Sequence, residues 1–403
     1  MIRRGRALFS LLGPAFVAGV AYLDPGNVAA NITAGASLGY LLVWVVLAGN
    51  LIAWVVQYLS ASLGIVTGQS LPEIMGKRIT SRGIRIGYWL QGELVAMATD
   101  VAEVVGGAVA LYLLFGIPLW LGASIVGVVS ITLLSAHSRW GARVFERIII
   151  ALLLVIAIGF GASLLGETID TGQLLTGILP RLQGFDSLVL AAAILGATVM
   201  PHAIYAHSGF ARDSLSGVKH EIRQRLVATR IDVTFALALA GGVNLVLLLI
   251  GAEVIGGQAD AVTLNSAHSA LLEISGATIA TLFAVGLLAS SLASTAVGAY
   301  AGAEIMSGLI RKKIPPLVRR VVTVIPAVLI VAAGVEPTAA LIISQVILSF
   351  GIPFALIPLI WVTGDKMLMR THRSHPLVRL LAAFSTLLVL VVNGGLLAVT
   401  LGA

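Results

Sequence analysis

Residues 21–27 are Ala-Tyr-Leu-Asp-Pro-Gly-Asn, and residues 197–202 are Ala-Thr-Val-Met-Pro-His. Each stretch places a proline and polar side chains in the middle of a long apolar segment. Proline removes a backbone hydrogen-bond donor and clashes with the preceding turn, so each segment is predicted to be a helix that breaks there. We also expect Gly26 to let the chain turn freely. An ordinary proline kink is the alternative, but kinks do not usually bring Asp, Asn, Met and His with them.

The composition predicts an integral membrane protein. Of the 403 residues, 58% are hydrophobic and only 11% are charged, whereas soluble domains carry about 25% charged residues. The 18 acidic and 25 basic residues cannot coat a soluble protein of this length, which excludes a water-soluble enzyme. The absence of cysteine excludes disulfides, thiolate metal ligands and catalytic thiols.

Hydropathy predicts eleven membrane spans in one domain, residues 1–403, with the first span retained rather than cleaved as a signal peptide. We place the spans at 9–38, 40–66, 86–115, 117–136, 142–166, 186–211, 226–252, 277–308, 317–335, 338–362 and 377–400. With a cytoplasmic N-terminus, every one of the 25 Lys and Arg residues except Arg181 falls on the cytoplasmic side. This asymmetry predicts a multi-pass protein of the cell membrane with an extracytoplasmic C-terminus. The net charge of +7 therefore reflects orientation in lipid and does not imply nucleic acid.

The two breaks fall in the first and sixth spans, which are matching members of two five-span halves. The halves would be a first repeat at about 9–166 and a second at about 186–362, followed by an extra helix at about 377–400. Paired interrupted helices at matching positions are typical of transporters built from inverted repeats, with the substrate at the middle of the bilayer.

The polar residues at the breaks predict a cation site. Asp24 is expected near the middle of the bilayer, where an ionised carboxylate is costly in free energy unless it is paired. We therefore expect Asp24 to be either a cation ligand or a proton carrier. Asn27 offers an amide oxygen, Met200 a thioether, and unwound backbone near Ala21 and Ala197 free carbonyls. A thioether favours Mn²⁺, Fe²⁺, Co²⁺ or Cd²⁺ over Mg²⁺ and Ca²⁺, although methionine can also simply fill a gap in an apolar helix.

Three acids, Glu93, Asp100 and Glu103, share one stripe of the third span. Carboxylates inside a membrane are rare, and chains of them typically mark proton routes. Arg319 and Arg320, at the start of span nine, could supply the counter-charge. A static ion-pair network between the two helices is the alternative.

Further polar residues are open to two interpretations. His202 adjoins the second break and titrates near neutral pH, which suits proton relay, but it could instead cap the broken backbone. His207 is expected to be structural. The spacing of Gln345 favours a bridge between helices over an oxygen ligand, and Asn244 is expected to bond between helices. No zinc-protease pattern and no phosphate-binding glycine loop is present, so we expect neither an enzyme nor an ATP-driven pump.

The motif Asp-Pro-Gly-Asn at 24–27, together with Met-Pro-His at 200–202, resembles the Nramp family of proton-coupled divalent-metal transporters. The similarity covers the whole chain, including Gly-Pro at 13–14, the segment 93–103 and Ser-Gln-Val-Ile-Leu at 344–348. It implies an all-α, LeuT-like fold of two inverted five-helix repeats plus an eleventh helix. The sequence departs from many members in Ala203, where they have Asn, and from others in lacking a twelfth span.

The resemblance implies a role for each matching residue. The implied metal ligands are Asp24, Asn27, Met200, a carbonyl of Ala21 or Ala197, and Gln345 in the occluded form. The implied proton pathway comprises Asp24 and His202 for uptake and Asp100, Glu103, Arg319 and Arg320 for exit, with Glu93 in the same acidic stripe.

The resemblance also implies the activity. The substrates would be Mn²⁺ and Fe²⁺, with Cd²⁺ and Co²⁺ also accepted, imported with protons by alternating access and without a cofactor. The expected partners are metal ions, protons and the lipid bilayer, and we expect a monomer. The alternatives are the same architecture carrying an amino acid or organic cation, and a metal channel or receptor without proton coupling.

Overall fold

The fold is built from helices joined by short connections. The computed structural model describes residues 14–140, 142–164, 166–214, 221–256, 262–310 and 316–401, and within them all regular secondary structure is helical. Helices α1 to α8 are Pro14–Val20, Pro25–Leu38, Val43–Thr67, Leu71–Arg78, Arg82–Phe115, Leu119–Trp140, Ala142–Ala162 and Thr171–Gly177. Helices α9 to α17 are Gly184–Val199, Pro201–Ser214, Ile222–Ile250, Leu264–Ile274, Ala277–Ile310, Pro316–Ala332, Pro337–Thr363, Lys366–Met369 and Pro376–Thr400.

Helices occupy all eleven predicted spans, which confirms the expected all-α membrane protein. Within the described residues, 7 helical stretches are long and apolar enough to cross a bilayer. Shorter apolar helices within α6, α7 and α14 correspond to the fourth, fifth and ninth predicted spans. The first span is interrupted at residues 21–24, and its part before residue 14 lies outside the described residues.

The first predicted break is confirmed. After α1, the chain makes a 3-10 turn at Ala21–Leu23 and then extends at Asp24, with φ −65° and ψ 161°. Helix α2 begins at Pro25, a position in the first turn where a missing N–H costs nothing. Gly26 lies inside α2 and is not among the glycines with positive φ. The expectation that Gly26 provides a free turn is therefore wrong.

The second predicted break is also confirmed, but it is shorter than expected. Helix α9 continues to Val199, and only Met200, with φ 10° and ψ 105°, departs from helical geometry before α10 begins at Pro201. Ala197 therefore lies in the last turn of α9, and the expectation of unwound backbone around it is wrong. Its carbonyl nevertheless has no helical partner, because the residue four positions later is a proline.

Four short helices, α4, α8, α12 and α16, lie in segments that the sequence analysis treats as loops. Helix α4 begins with a capping box. The side chain of Ser70 accepts a hydrogen bond from the backbone N–H of Glu73, and the side chain of Glu73 accepts one from the backbone N–H of Ser70. The Ser-x-x-Glu pattern at 70–73 is a known helix-start signal and could have revealed it. Asp170 caps α8 by accepting from two backbone N–H groups.

Close packing of α2, α9 and α15 joins the two breaks. Helix α2 contacts α9, α11 and α15, and α9 also contacts the 3-10 turn of the first break. Gly196 of α9 lies against the backbone of Gln345 on α15 with no room for a β-carbon. Small residues allow membrane helices to approach closely in this way, and here they bring α15 to the level of both breaks.

Candidate metal centre

Asp24 is the carboxylate at the first break, and it is completely buried. Its Oδ1 accepts a hydrogen bond from the backbone N–H of Asn27 at 2.8 Å, and its Oδ2 accepts one from Nε2 of Gln345 at 3.0 Å. Within the described residues, no Lys, Arg or His side chain forms an ion pair with Asp24. Because both donors are neutral, the charge of an ionised Asp24 is uncompensated, which is costly in a low dielectric. A bound cation or proton removes that cost.

Gln345 connects α15 to the first break. It is completely buried, and its side chain fills the space beside Gly26, where a β-carbon would collide with its amide. Its Nε2 bonds to Asp24, whereas its Oε1 is buried without a hydrogen-bond partner. The side chain therefore forms the predicted bridge and also presents a free oxygen next to the carboxylate, as a cation ligand requires.

Asn27 links the two breaks directly. Its Nδ2 donates to the carbonyl of Tyr22 at 2.6 Å and to the carbonyl of Ala197 at 3.1 Å. Its Oδ1 accepts from Nδ2 of Asn31 at 2.8 Å. The nitrogen, and not the oxygen, of Asn27 faces the second break in this structure. A cation held between Asn27 and Ala197 therefore requires the amide of Asn27 to turn over.

The carbonyls of Ala21 and Ala197 occupy equivalent places in the two breaks. Each lies four residues before a proline, Pro25 or Pro201, which has no N–H to donate to it. The carbonyl of Ala21 accepts only a long bond of 3.3 Å from the backbone N–H of Asp24. Both prolines therefore leave a backbone oxygen uncommitted to the helix, and such oxygens are suitable cation ligands.

Met200 is the residue at which the second helix breaks, and its side chain is completely buried. Its carbonyl accepts from the N–H of Ala203 at 3.1 Å, which starts α10. The thioether is a soft donor in a region whose other donors are oxygens.

Two further amide oxygens adjoin the first break. Oδ1 of Asn31 and Oδ1 of Asn244 are buried without a hydrogen-bond partner. Asn244 donates from Nδ2 to the carbonyl of Tyr22 at 3.0 Å, which confirms the expected bond between helices. Leaving a buried acceptor unsatisfied costs about 1–3 kcal/mol, so this group of oxygens around a carboxylate favours a positively charged ligand.

The described residues contain no group of three or more His, Asp or Glu side chains suited to hold a metal ion. A cation at the breaks therefore depends on amide, thioether and carbonyl donors around the single carboxylate of Asp24.

The acidic stripe of α5 is largely buried and connected to α14. Glu93 forms an ion pair with Arg319 at 3.1 Å, and the guanidinium of Arg319 packs onto Gly302 of α13. Asp100 and Glu103 are buried, and Asp100 interacts electrostatically with Glu93. The predicted counter-charge is thus in place at Arg319. The side chain of Arg320 lies outside the described residues.

His202 lies between the second break and the acidic stripe. Its Nδ1 is 3.0 Å from Oγ1 of Thr99, and Oγ1 of Thr99 itself donates to the carbonyl of Val95 at 3.1 Å. His202 also interacts electrostatically with Asp100. These contacts run towards α5 and not to the broken backbone, so they favour a relay over a cap.

His207 belongs to a different hydrogen-bonded chain. Its Nδ1 lies 2.6 Å from Oε1 of Gln57, and Nε2 of Gln57 bonds to the hydroxyl of Tyr22. This chain connects α10 through α3 to the first break, as expected for a structural histidine.

The family assignment follows from the match of the whole chain to known proteins. The profile of the Nramp family, described as natural resistance-associated macrophage protein-like, matches residues 15–399. The chain belongs to the Nramp family. The resemblance carried by the two interrupted motifs is therefore confirmed.

Relatives of this Nramp chain are named as metal transporters. It is 55% identical over 367 residues to the divalent metal cation transporter MntH of Mycobacterium tuberculosis strain H37Rv, covering 91% of this chain and 86% of that protein. It is 44% identical over 371 residues to MntH of Bacillus subtilis strain 168, covering 91% and 87%. These relatives are transporters and not enzymes, as we expected.

Solved structures confirm the LeuT-like fold. The Eremococcus coleocola manganese transporter bound to an aromatic bis-isothiourea substituted compound matches with a TM-score of 0.83 and 29% identity, covering 96% of this chain and 86% of that one. Mhp1, a nucleobase-cation-symport-1 family transporter, matches with a TM-score of 0.60 and 17% identity, covering 96% and 93%. The second likeness concerns the fold alone.

Sequence reasoning missed three residues of this Nramp site, Tyr22, Asn31 and Gln57. Asn31 follows Asn27 by four residues, so helical spacing places the two amides on one face and could have revealed it. Tyr22 and Gln57 meet only through the packing of α3 against the first break, for which no local signal exists.

Proposed function

We propose that this Nramp chain is a secondary active transporter that imports Mn²⁺ and Fe²⁺, and also Cd²⁺ and Co²⁺, together with protons by alternating access. The metal would bind where the two broken helices meet. Its ligands would be Asp24, Asn27, Met200, Gln345 and a carbonyl of Ala21 or Ala197.

The observation that carries the proposal is the environment of Asp24. Among the described residues, this buried carboxylate accepts hydrogen bonds from neutral groups alone, and the free oxygen of Gln345 lies beside it. An unpaired acid among unpaired acceptors favours a cation over an organic anion such as the carboxylate of an amino acid. The names of the curated relatives support a divalent metal ion as that cation.

The thioether of Met200 would set the selectivity. Mg²⁺ and Ca²⁺ prefer shells made entirely of oxygen, whereas a softer metal gains from sulfur. Without Met200 the remaining donors are all oxygens, and the preference for Mn²⁺ over Ca²⁺ should weaken.

Proton coupling would use the buried groups between the breaks and α14. Asp24 and His202 would take up the proton, and it would leave through Asp100 and Glu103 beside the ion pair of Glu93 and Arg319. Arg320 would contribute at the same end of α14. The contact from His202 to α5 supports this route.

The proposal also covers the oligomeric state and the orientation of the chain in the membrane. The chain would be a monomer in the cell membrane, with a cytoplasmic N-terminus, an extracytoplasmic C-terminus and inverted repeats at about 9–166 and 186–362. The helix at 377–400 would lie outside the repeats. Transport would require neither a cofactor nor ATP.

Uptake of radioactive Mn²⁺ into proteoliposomes, in competition with Ca²⁺, tests the proposal. Met200→Ala should lower the preference for Mn²⁺ over Ca²⁺ by about tenfold or more, since a sulfur–metal bond is lost. Met306→Ala removes another buried methionine, on α13 and away from the breaks, and should leave the preference unchanged. An unchanged preference in Met200→Ala would contradict the ligand role, and inhibition of Mn²⁺ uptake by amino acids would favour the alternative cargo.

A further inference from the structure

A cavity separate from the candidate metal centre is lined by residues that are neither proposed metal ligands nor proposed members of the proton pathway. It has a volume of about 330 Å³ and is enclosed by α3, the start of α11, the end of α15 and the segment that leads into α17. This volume falls within the range of about 300–1,000 Å³ that is typical of small-molecule sites. No role in metal transport uses these residues.

The charged lining of this cavity is exclusively basic. Arg230, His372, Arg373 and His375 line it, and none of the Asp or Glu side chains that the structure describes does. In the part of the chain that the structure describes, none of these four side chains forms an ion pair. The nearest carboxylates along the chain, Asp232 and Asp365, do not line the cavity, and Asp365 is paired with Arg78. Arg230 and Arg373 are therefore not paired with any carboxylate of the described residues, and their charges attract an anion.

Several donors in the cavity have no protein partner. Nε of Arg373 and Oγ of Ser62 are buried without a hydrogen bond. Nδ1 of His375 accepts the backbone N–H of Leu377 at 3.3 Å, so in the neutral ring Nε2 carries the proton and remains a donor. Converging guanidinium, hydroxyl and imidazole donors suit the several oxygens of a phosphate group.

The walls of the cavity are typical of a membrane interface. Trp54 and Tyr58 stack with ring centroids 5.9 Å apart, and Arg230 lies 5.7 Å from the ring centre of Trp54. Trp and Tyr are enriched where the bilayer meets water. On α17, which contributes Val378 to the cavity, Leu377 and Leu380 are exposed apolar side chains that would contact lipid chains.

We propose that this cavity binds the phosphate group of an anionic phospholipid. The unneutralised arginines and free donors would hold the phosphate, and the exposed apolar side chains beside them would contact the acyl chains. Basic pockets between membrane helices bind anionic headgroups in this way. Because the cavity joins α3 and α11 to α15 and α17, a bound headgroup would hold these helices together.

The test measures the Tm of the full-length purified protein in detergent micelles, in buffers of constant ionic strength. One arm titrates phosphatidylglycerol against phosphatidylcholine, and the other titrates inorganic phosphate against chloride. The double variant Arg230→Gln/Arg373→Gln is compared with Arg82→Gln/Arg223→Gln, which removes the same charge from exposed arginines outside the cavity.

Phosphatidylglycerol should raise the Tm of the unmodified protein, and half-saturation should need about tenfold or more lipid in the cavity variant but not in the control. Arg230→Lys/Arg373→Lys, which keeps the charge, should recover part of the affinity and guards against a folding defect. Stabilisation by inorganic phosphate alone, with the same dependence on the two arginines, would identify a soluble phosphate as the source. Equal stabilisation of the cavity variant and the unmodified protein in both arms would overturn the proposal.

Discussion

Gln345 donates a hydrogen bond from Nε2 to Oδ2 of Asp24 across 3.0 Å, although 321 positions of sequence separate the two residues. The bond connects the unbroken helix α15 to the first break, and it leaves Oε1 of Gln345 without a partner. Gly26 makes the approach possible, since a side chain there would occupy the place of the amide. A carboxylate, an available amide oxygen and the glycine between them thus form one packed unit.

Gly26→Ala should break this unit. The added methyl group collides with Gln345, and overpacking of this kind costs about 1–3 kcal/mol, so we expect a lower Tm and loss of Mn²⁺ uptake in proteoliposomes. Gly87→Ala is the control, because Gly87 on α5 has open space around it, and alanine there should be neutral or slightly stabilising. Adding Gln345→Ala to Gly26→Ala removes the obstruction and should restore Tm but not uptake. Normal Tm and uptake in Gly26→Ala would refute the close approach.

Asp24→Asn should abolish stabilisation by metal. A ligand at 100 times its Kd stabilises the folded state by about 2.7 kcal/mol, and we expect this Mn²⁺-dependent rise in Tm to disappear when the carboxylate is lost. The metal-free protein should not be destabilised, because Gln345 can turn its free Oε1 towards the new amide. Asp186→Asn, at an exposed position, should keep the Mn²⁺ effect. A full Mn²⁺ response in Asp24→Asn would remove Asp24 from the ligand set.

Arg319→Gln should destabilise the protein, by less than the about 3–5 kcal/mol typical of a fully buried pair, because it leaves the partly buried Glu93 without its counter-charge. The double variant Glu93→Gln/Arg319→Gln removes both charges and should be closer to the unmodified protein in Tm. If the stripe conducts protons, the double variant should also lose acidification of the vesicle interior during Mn²⁺ entry, measured with an internal pH dye. Unchanged acidification would leave the pair as a static link between α5 and α14.

Asp365→Asn should lower Tm at neutral pH but not in acid. The hydrogen bond from Arg78 lowers the pKa of Asp365. A lowered folded-state pKa contributes stability above the ordinary value of about 3.9, and that stability is lost as the pH falls through the folded-state pKa. The difference in Tm should be small, since both side chains are partly exposed. Glu273→Gln changes an exposed carboxylate on α12 that forms no ion pair within the described residues. Its Tm difference from the unmodified protein should not shrink as the pH falls. If the Tm of Asp365→Asn stayed below that of the unmodified protein at pH values under the folded-state pKa of Asp365, the charge of Asp365 would not be the cause of the difference.

The two breaks could be predicted because their causes are local. Pro25 and Pro201 lack an N–H, so each interrupts its helix wherever the helix packs, and each also frees a carbonyl four residues earlier. The extent of unwinding at Ala197 could not be predicted, because one residue, Met200, absorbs the whole departure from helical geometry. The role of Gly26 was likewise misjudged, because its backbone is helical and only the neighbouring α15 requires the missing side chain.

The amino-acid sequence by itself determined the multi-pass membrane character, the apolar helical segments, the positions of both breaks and the family, because hydropathy and proline act along the chain. Only the tertiary structure decided which donors meet at Asp24, that Arg319 pairs with Glu93 and that a basic cavity forms beside Arg230. These relationships join residues far apart in sequence, and they depend on how closely helices pack. That closeness is set by shape and by missing side chains such as those of Gly26 and Gly196, which no local pattern encodes.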